Sequence, residues 1–168
     1  MPYWQLFYHL VWATKARAPL ITTDVEAQVH HLLRQKMIDL EAVVFALNGM
    51  PDHVHVVAAI PPKISVSHFI GQIKAVSATK FNHTAGDGQH LVWQGEYGAF
   101  SFDGKRLPNY VRYVDGQKEH HQANSTIAIL ERHDGPGPQL LHEASASYIT
   151  DDAAWRDELA GLATDQPL

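Results

Sequence analysis

The chain has 168 residues, 45% of them hydrophobic, enough for one well-cored domain with an appendage and too few for two large domains. It contains no cysteine, which excludes disulfides, thiolate zinc sites and cysteine nucleophiles and leaves covalent chemistry to Ser, Thr, Tyr, Lys, His or a carboxylate. The net charge of −5 disfavours nucleic acid as a partner of the whole chain, but it is unevenly spread: residues up to Leu130 carry 11 basic and 10 acidic groups, whereas Glu131 to the end carries 2 basic and 8 acidic.

Gln5 to Thr14 is rich in aromatic and branched residues and predicts a strand buried on both faces, followed by a turn at Lys15-Ala16-Arg17-Ala18-Pro19. Thr23 and Glu26 have capping-box spacing, and Val25, Val29, Leu32, Leu33, Met37 and Leu40 then recur as one helical stripe. Glu41 to Leu47 predicts a second strand, Asn48 to Asp52 a turn, and His53 to Ile60 a third strand closed by Pro61-Pro62. Val66, Phe69, Ile70, Ile73, Val76 and Phe81 mark a second long helix with Lys74 and Lys80 on a partly basic face.

Leu91 to Trp93 and Ala99 to Phe102 read as strand segments around an irregular corner. Pro108 then stands near the start of a helix running to about His121, weakened by Gly116. A punctuated linker, Asp134 to Pro138, leads to an acidic segment in which Trp155, Leu159 and Leu162 predict one more short helix. The order β-α-β-β-α-β plus a further helix predicts an α+β fold: a ferredoxin-like antiparallel sheet with two helices on one face. The expected domains are a catalytic domain over residues 1–130 and an acidic extension over 131–168. No apolar run is long enough to span a bilayer and no signal core is present, so no membrane association and a cytoplasmic location are expected.

Two local patterns carry chemistry. In an extended strand alternate side chains share a face, so His53 and His55 point together and can grip one cation while leaving coordination positions open. On the late helix, Tyr113 and Gln117 are four apart and share one side. Either alone is weak, since 12 histidines make His-x-His by chance common and a helical tyrosine is ordinarily a packing residue.

Taken together, the chain resembles the single-tyrosine HUH transposases, the small transposases of simple insertion sequences and their repeat-associated relatives. The resemblance lies in Tyr8-His9-Leu10-Val11-Trp12 with Thr14-Lys15, in Met50-Pro51-Asp52-His53-Val54-His55, in Trp93-Gln94 through Tyr97-Gly98 to Phe100-Ser101, and in Tyr113-x-x-x-Gln117 leading into Glu119-His120-His121. It spans about residues 3–125 and implies a metal-dependent single-stranded DNA endonuclease and strand transferase acting at hairpin-bearing DNA ends. Tyr113 is then the nucleophile that forms a 5′-phosphotyrosine, and His53, His55 and Gln117 are ligands to Mg2+ or Mn2+. An obligate homodimer is also implied, in which the tyrosine helix serves its own or its partner's histidine pair.

DNA contacts would fall to Lys15, Arg17, Lys74, Lys80, Lys105, Arg106 and Arg112, and the acidic tail is a candidate competitor for that basic surface. Two alternatives stand beside this reading. One is a domesticated repeat-processing nuclease of the same chemistry. The other is a non-enzymatic module binding single-stranded nucleic acid through sheet aromatics such as Phe7, Trp12 and Phe100, with structural histidines.

Overall fold

The structure, a computed structural model, describes residues 3–135 and Asp157. The short helix expected around Trp155 and the fold-back expected of residues 134–168 lie outside the described residues, apart from Asp134, Gly135 and Asp157. Two compact units divide the chain, Met1–Asp134 and Gly135–Leu168. Glu131 belongs to the first.

The first unit runs β1 (Phe7–Ala13), α1 (Glu26–Asp39), β2 (Val43–Met50), β3 (His53–Ala59), α2 (Val66–Thr84), β4 (Gly98–Phe102), α3 (Leu107–Asp115) and α4 (Gln117–Gln122). The four strands form one antiparallel sheet in the order β2-β3-β1-β4, the ferredoxin-like arrangement. Because side chains alternate along a strand, each central strand feeds two layers. Leu10 and Trp12 of β1 and Val54, Val56 and Ala58 of β3 face α1 and α2, where they meet Val29, Leu33, Met37, Phe69, Ile70 and Ile73 in the main core.

The opposite face carries His9 of β1 and His53, His55 and Val57 of β3. Helix α3 lies across it, and Tyr113 and Val114 pack there with Ala46, Val57 and Leu130. All seven residues of β3 are buried, so the histidine pair sits in a strand with no solvent-facing side.

Several local expectations resolve differently. The capping box does not form: α1 starts after Val25 with no side-chain cap, and Thr22 instead donates to Asp24. The Glu26 carboxylate pairs with Lys118 Nζ at 2.7 Å, a long-range partner that no local pattern reveals. The turn before the histidines is tighter than Asn48–Asp52, because β2 continues to Met50 and pairs with His53, leaving only Pro51-Asp52 to reverse the chain. Gly49 makes this possible, since a Cβ there would come within 2.3 Å of the His53 carbonyl oxygen.

Of Leu91 to Trp93, only Trp93 reaches the sheet, through an isolated bridge to Thr14. The late helix is broken at Gly116, whose low helix propensity coincides with a fixed junction: Asn48 Nδ2 donates to the Asp115 carbonyl at 2.8 Å, and Lys118 Nζ donates to Asn48 Oδ1 at 2.9 Å. Trp12 is fully buried beneath α1 and α2, and Phe100 and Phe102 are half-buried against the cluster that holds Tyr113 and Val114. Of the aromatics a stacking platform would use, Trp12 is committed to the core, while Phe7 and Phe100 are half-buried.

Candidate metal centre and nucleophile

Register brings the two histidines opposite the first strand, with His55 facing Val11 and His53 facing Ala13. Each ring is held from behind by its Nδ1. His53 Nδ1 lies 2.6 Å from Asp52 Oδ1, and Asp52 is in turn paired with Arg17 at 2.8 Å. His55 Nδ1 lies 3.0 Å from His9 Nε2, deep in the sheet. Outer partners of this kind set the orientation and tautomer of imidazoles that present their other nitrogen to a metal. The two Nε2 atoms are accordingly turned toward one place.

That place also contains a carboxylate. Glu131 Oε2 is 3.1 Å from His55 Nε2, 3.4 Å from His53 Nε2 and 3.5 Å from His121 Nε2. His53, His55 and Glu131 each offer one ligand atom, all within 4.8 Å of one another. The other Glu131 oxygen, Oε1, accepts the hydrogen of the Tyr113 hydroxyl, and the Tyr113 oxygen accepts from the Ile127 N–H at 3.0 Å. Tyr113 is thus set against the histidine pair of its own chain, its ring 6.2 Å from that of His55 and 4.9 Å from that of His120.

Gln117 is fully buried one turn along, its Nε2 3.4 Å from the Tyr113 carbonyl oxygen and its Oε1 without a hydrogen-bond partner. A buried amide oxygen without a partner is a group that a hard divalent cation could satisfy. The two imidazoles and the carboxylate could hold a divalent metal ion.

The electrostatics follow from this crowding. Burial, aided by the Glu131 hydrogen bond, pushes the Tyr113 phenol up to about 12. Burial works against ionising Glu131 as well, but hydrogen bonds with His53 and His55 outweigh it and hold the carboxyl far below its usual range. Burial lowers His55. Burial also opposes charge on His53, yet hydrogen bonds to Asp52 and Glu131 prevail and raise it. His9 is lowered to about 3, by burial first and by His55 second, so it is neutral at any ordinary pH.

The basic residues expected to meet DNA are divided by the fold. Lys15 and Arg17 occupy the turn after β1, where Arg17 is committed to Asp52. Lys105 and Arg106 form the turn before α3, and Arg112 is exposed on α3 itself. Arg106 lines a cavity of about 320 Å3 with Tyr110, Tyr113, Ile127 and Leu130. Lys74 and Lys80 lie on α2, on the other side of the sheet from Tyr113, and Lys74 donates to the carbonyl oxygens of Gly95 and Glu96.

Two groups escaped the sequence reading of the site. Glu131 follows Gln117 by fourteen residues in a stretch whose composition reads as an acidic tail, and no spacing links it to the histidines. His9 had a usable signal. In β1 it alternates with the core residues Leu10 and Trp12, which sets it on the other face, but the register of that face with β3 is not readable in one sequence.

The chain matches known proteins over most of its length. A family model described as IS200-like transposase matches residues 2–117. The chain is 31% identical over 130 residues to the transposase for insertion sequence element IS200 of Salmonella typhimurium, spanning 75% of this chain and 86% of that one. It is 27% identical over 92 residues to the ISDra2 transposase TnpA of Deinococcus radiodurans, spanning 55% of this chain and 66% of that one.

Among solved structures, a candidate transposase from Deinococcus radiodurans superposes with a TM-score of 0.53 at 24% identity, over 70% of this chain and 95% of that one. A REP-associated tyrosine transposase bound to a REP hairpin superposes with a TM-score of 0.53 at 16% identity, over 75% of this chain and 76% of that one. These two likenesses establish a shared fold. With more than two thirds of its length inside the family match, the chain belongs to the IS200-like transposases.

Proposed function

We propose that this transposase cleaves and rejoins single-stranded DNA at hairpin-bearing ends through Tyr113. The observation that carries the reading is the seating of the Tyr113 hydroxyl and the two histidine Nε2 atoms around one carboxylate within a single chain. In the proposed step the Tyr113 oxygen forms a bond to the scissile phosphorus, the bond from phosphorus to the 3′-oxygen breaks, and the products are a 5′-phosphotyrosine and a 3′-hydroxyl. One phosphodiester replaces another, so a second 3′-hydroxyl can reverse the attack and join new ends without ATP.

The residues prepare this step in separable ways. His53, His55 and Gln117 would hold Mg2+ or Mn2+, which when bound offsets charge on the phosphoryl oxygens and on the departing 3′-oxygen. Asp52 and His9 hold the two imidazoles in register. A phenol pushed up to about 12 is costly to ionise at neutral pH, by about 7 kcal/mol, so Tyr113 needs an acceptor for its proton as attack proceeds. The hydrogen-bonded Glu131 is the nearest such group.

Arg106, just before the tyrosine helix, and Arg112, exposed on it, are the cations placed for DNA phosphates on this side, with Lys105 in the turn before the helix and Lys15 in the turn after β1. The fold relative bound to a REP hairpin supports a structured single strand as substrate. A homodimer remains part of the proposal, with the tyrosine acting on its own chain's histidine pair.

The test is to incubate hairpin-bearing single strands with protein and Mn2+ and to resolve covalent adducts under denaturing conditions. A 5′-linked adduct is expected from the natural protein and none from Tyr113→Phe. Absence of an adduct across a broad panel of hairpins and flanks would sink the reading.

A further inference from the structure

The family match ends at residue 117, yet the site does not. We propose that Glu131 is a further protein donor of the metal centre, adding to the His53-His55 pair a carboxylate that lies beyond the matched region. The proposal deepens the function given above and rests on its reading of the histidine pair as metal ligands.

Three observations carry it. The first is convergence: Glu131 Oε2 approaches both ligand nitrogens, at 3.1 Å and 3.4 Å, and the three donor atoms lie within 4.8 Å of one another. Both Nδ1 atoms are occupied on the far side by Asp52 and His9. With a cation in place of the hydrogens that link the rings to Glu131, Nδ1 would carry the hydrogen on each ring and three lone-pair donors would face one point.

The second is the way the segment is anchored. Leu130 is 6% exposed and His133 is 8% exposed, so Glu131 is flanked by buried residues and does not dangle from a tail. The Arg132 carbonyl oxygen lies so close to Gly98 that a Cβ there would meet it at 2.0 Å, and the Ile127 N–H is donated to Tyr113. Helix, sheet and β4 together hold the carboxylate in place.

The third is chemical. Two neutral imidazoles alone leave the full charge of a divalent cation uncompensated in a buried site, whereas a carboxylate supplies both an anionic charge and the hard oxygen that Mg2+ and Mn2+ prefer. Gln117 is neutral, and its amide nitrogen is directed to the Tyr113 carbonyl. Glu131 also holds the Tyr113 hydroxyl with its remaining oxygen, so metal site and nucleophile share one side chain.

The test is titration of the full-length protein with Mn2+ alone, without DNA, following binding by calorimetry and by the loss of the free Mn2+ electron paramagnetic resonance signal. Circular dichroism verifies the fold of each variant. Glu131→Ala is expected to weaken Mn2+ binding at least tenfold, comparably to His55→Ala, and the isosteric Glu131→Gln to weaken it by a smaller factor. Should the alanine variant not fold, the Glu131→Gln result decides.

Unchanged or tighter Mn2+ binding on removing the carboxylate overturns the proposal, because Glu131 would then only be pairing with protonated imidazoles and competing with the metal. If the natural protein binds no Mn2+, the histidine-pair reading falls too. If it binds Mn2+ but is indifferent to Glu131, only the present proposal falls.

Discussion

His9 Nε2 lies 3.0 Å from His55 Nδ1, two rings with no exposed surface joined across neighbouring strands. Because burial keeps His9 neutral, it can serve as acceptor for an Nδ1–H on His55, freeing the His55 Nε2 lone pair for a bound cation. Replacing His9 with Phe keeps the ring's bulk and removes that acceptor. Mn2+ affinity of the protein is expected to fall about tenfold to a hundredfold, the usual cost of losing an outer partner, while the far-ultraviolet circular dichroism stays unchanged. Undiminished Mn2+ affinity would show that the histidine–histidine contact is ordinary packing.

Adduct formation should accelerate with alkalinity. Tyr113 is pushed up to about 12, so it stays protonated across the neutral range and its ionised fraction grows tenfold per pH unit. His53 is raised by Asp52 and Glu131, so acid keeps a proton on a ligand nitrogen and closes the same site. Both effects have one sign. Single-turnover adduct yield is expected to climb steadily from pH 6 to pH 9; a maximum near pH 6 would contradict the buried phenol as nucleophile.

Asp52 gives a separate pH dependence, in stability. Burial would raise its carboxyl, but the His53 hydrogen bond and the Arg17 charge hold it down at about 2, below the ordinary 3.8. A depressed folded-state value means the stabilisation is present above pH 4 and is lost as pH falls toward 2. Allowing for a side chain one quarter exposed, Asp52→Asn should cost about 1–2 kcal/mol at pH 7. Denaturant melts of the two proteins should converge near pH 2. A gap that persists there would assign the loss to packing.

How much of this was legible in the chain varies with the range of the interaction. Strand alternation put His53 and His55 on one face, helical spacing put Gln117 one turn from Tyr113, and hydrophobic periodicity marked Val29, Leu33 and Met37 as core. Each of these depends on neighbours within a few residues. Interactions set by the tertiary fold were not legible. Glu26 looked like a capping residue and is a partner of Lys118, and Glu131 looked like part of an acidic tail and sits among buried histidines. A lone carboxylate has no period, so only the folded path of the chain from α4 back over β4 reveals its place.

Gly98 tests that path. A methyl group there would meet the Arg132 carbonyl oxygen at 2.0 Å and Val11 Cγ1 at 2.8 Å, and the first of these is backbone that cannot rotate away. Gly98→Ala should destabilise the protein by about 1–3 kcal/mol and displace residues 130–133 from the sheet. The displacement should appear as a loss of Mn2+ affinity matching that of Glu131→Ala. A lower melting temperature with Mn2+ binding intact would mean that Glu131 keeps its position by other contacts.

The stacking-module alternative and the transferase reading diverge at Phe100 and Arg106. Phe100 is half-buried, packed against the cluster around Tyr113 with its ring 6.0 Å from that of His9, whereas Arg106 lines the cavity beside Tyr113. Hairpin affinity should therefore change less than about twofold in Phe100→Leu, since base stacking would be worth ~1–3 kcal/mol if it occurred. Arg106→Ala should weaken binding across sequences and lower the slope of log affinity against log salt by about 1, as expected for one lost phosphate contact. Fluorescence anisotropy over a salt series measures both. A large loss in Phe100→Leu, combined with binding indifferent to Mn2+ and to Tyr113→Phe, would favour the module over the enzyme.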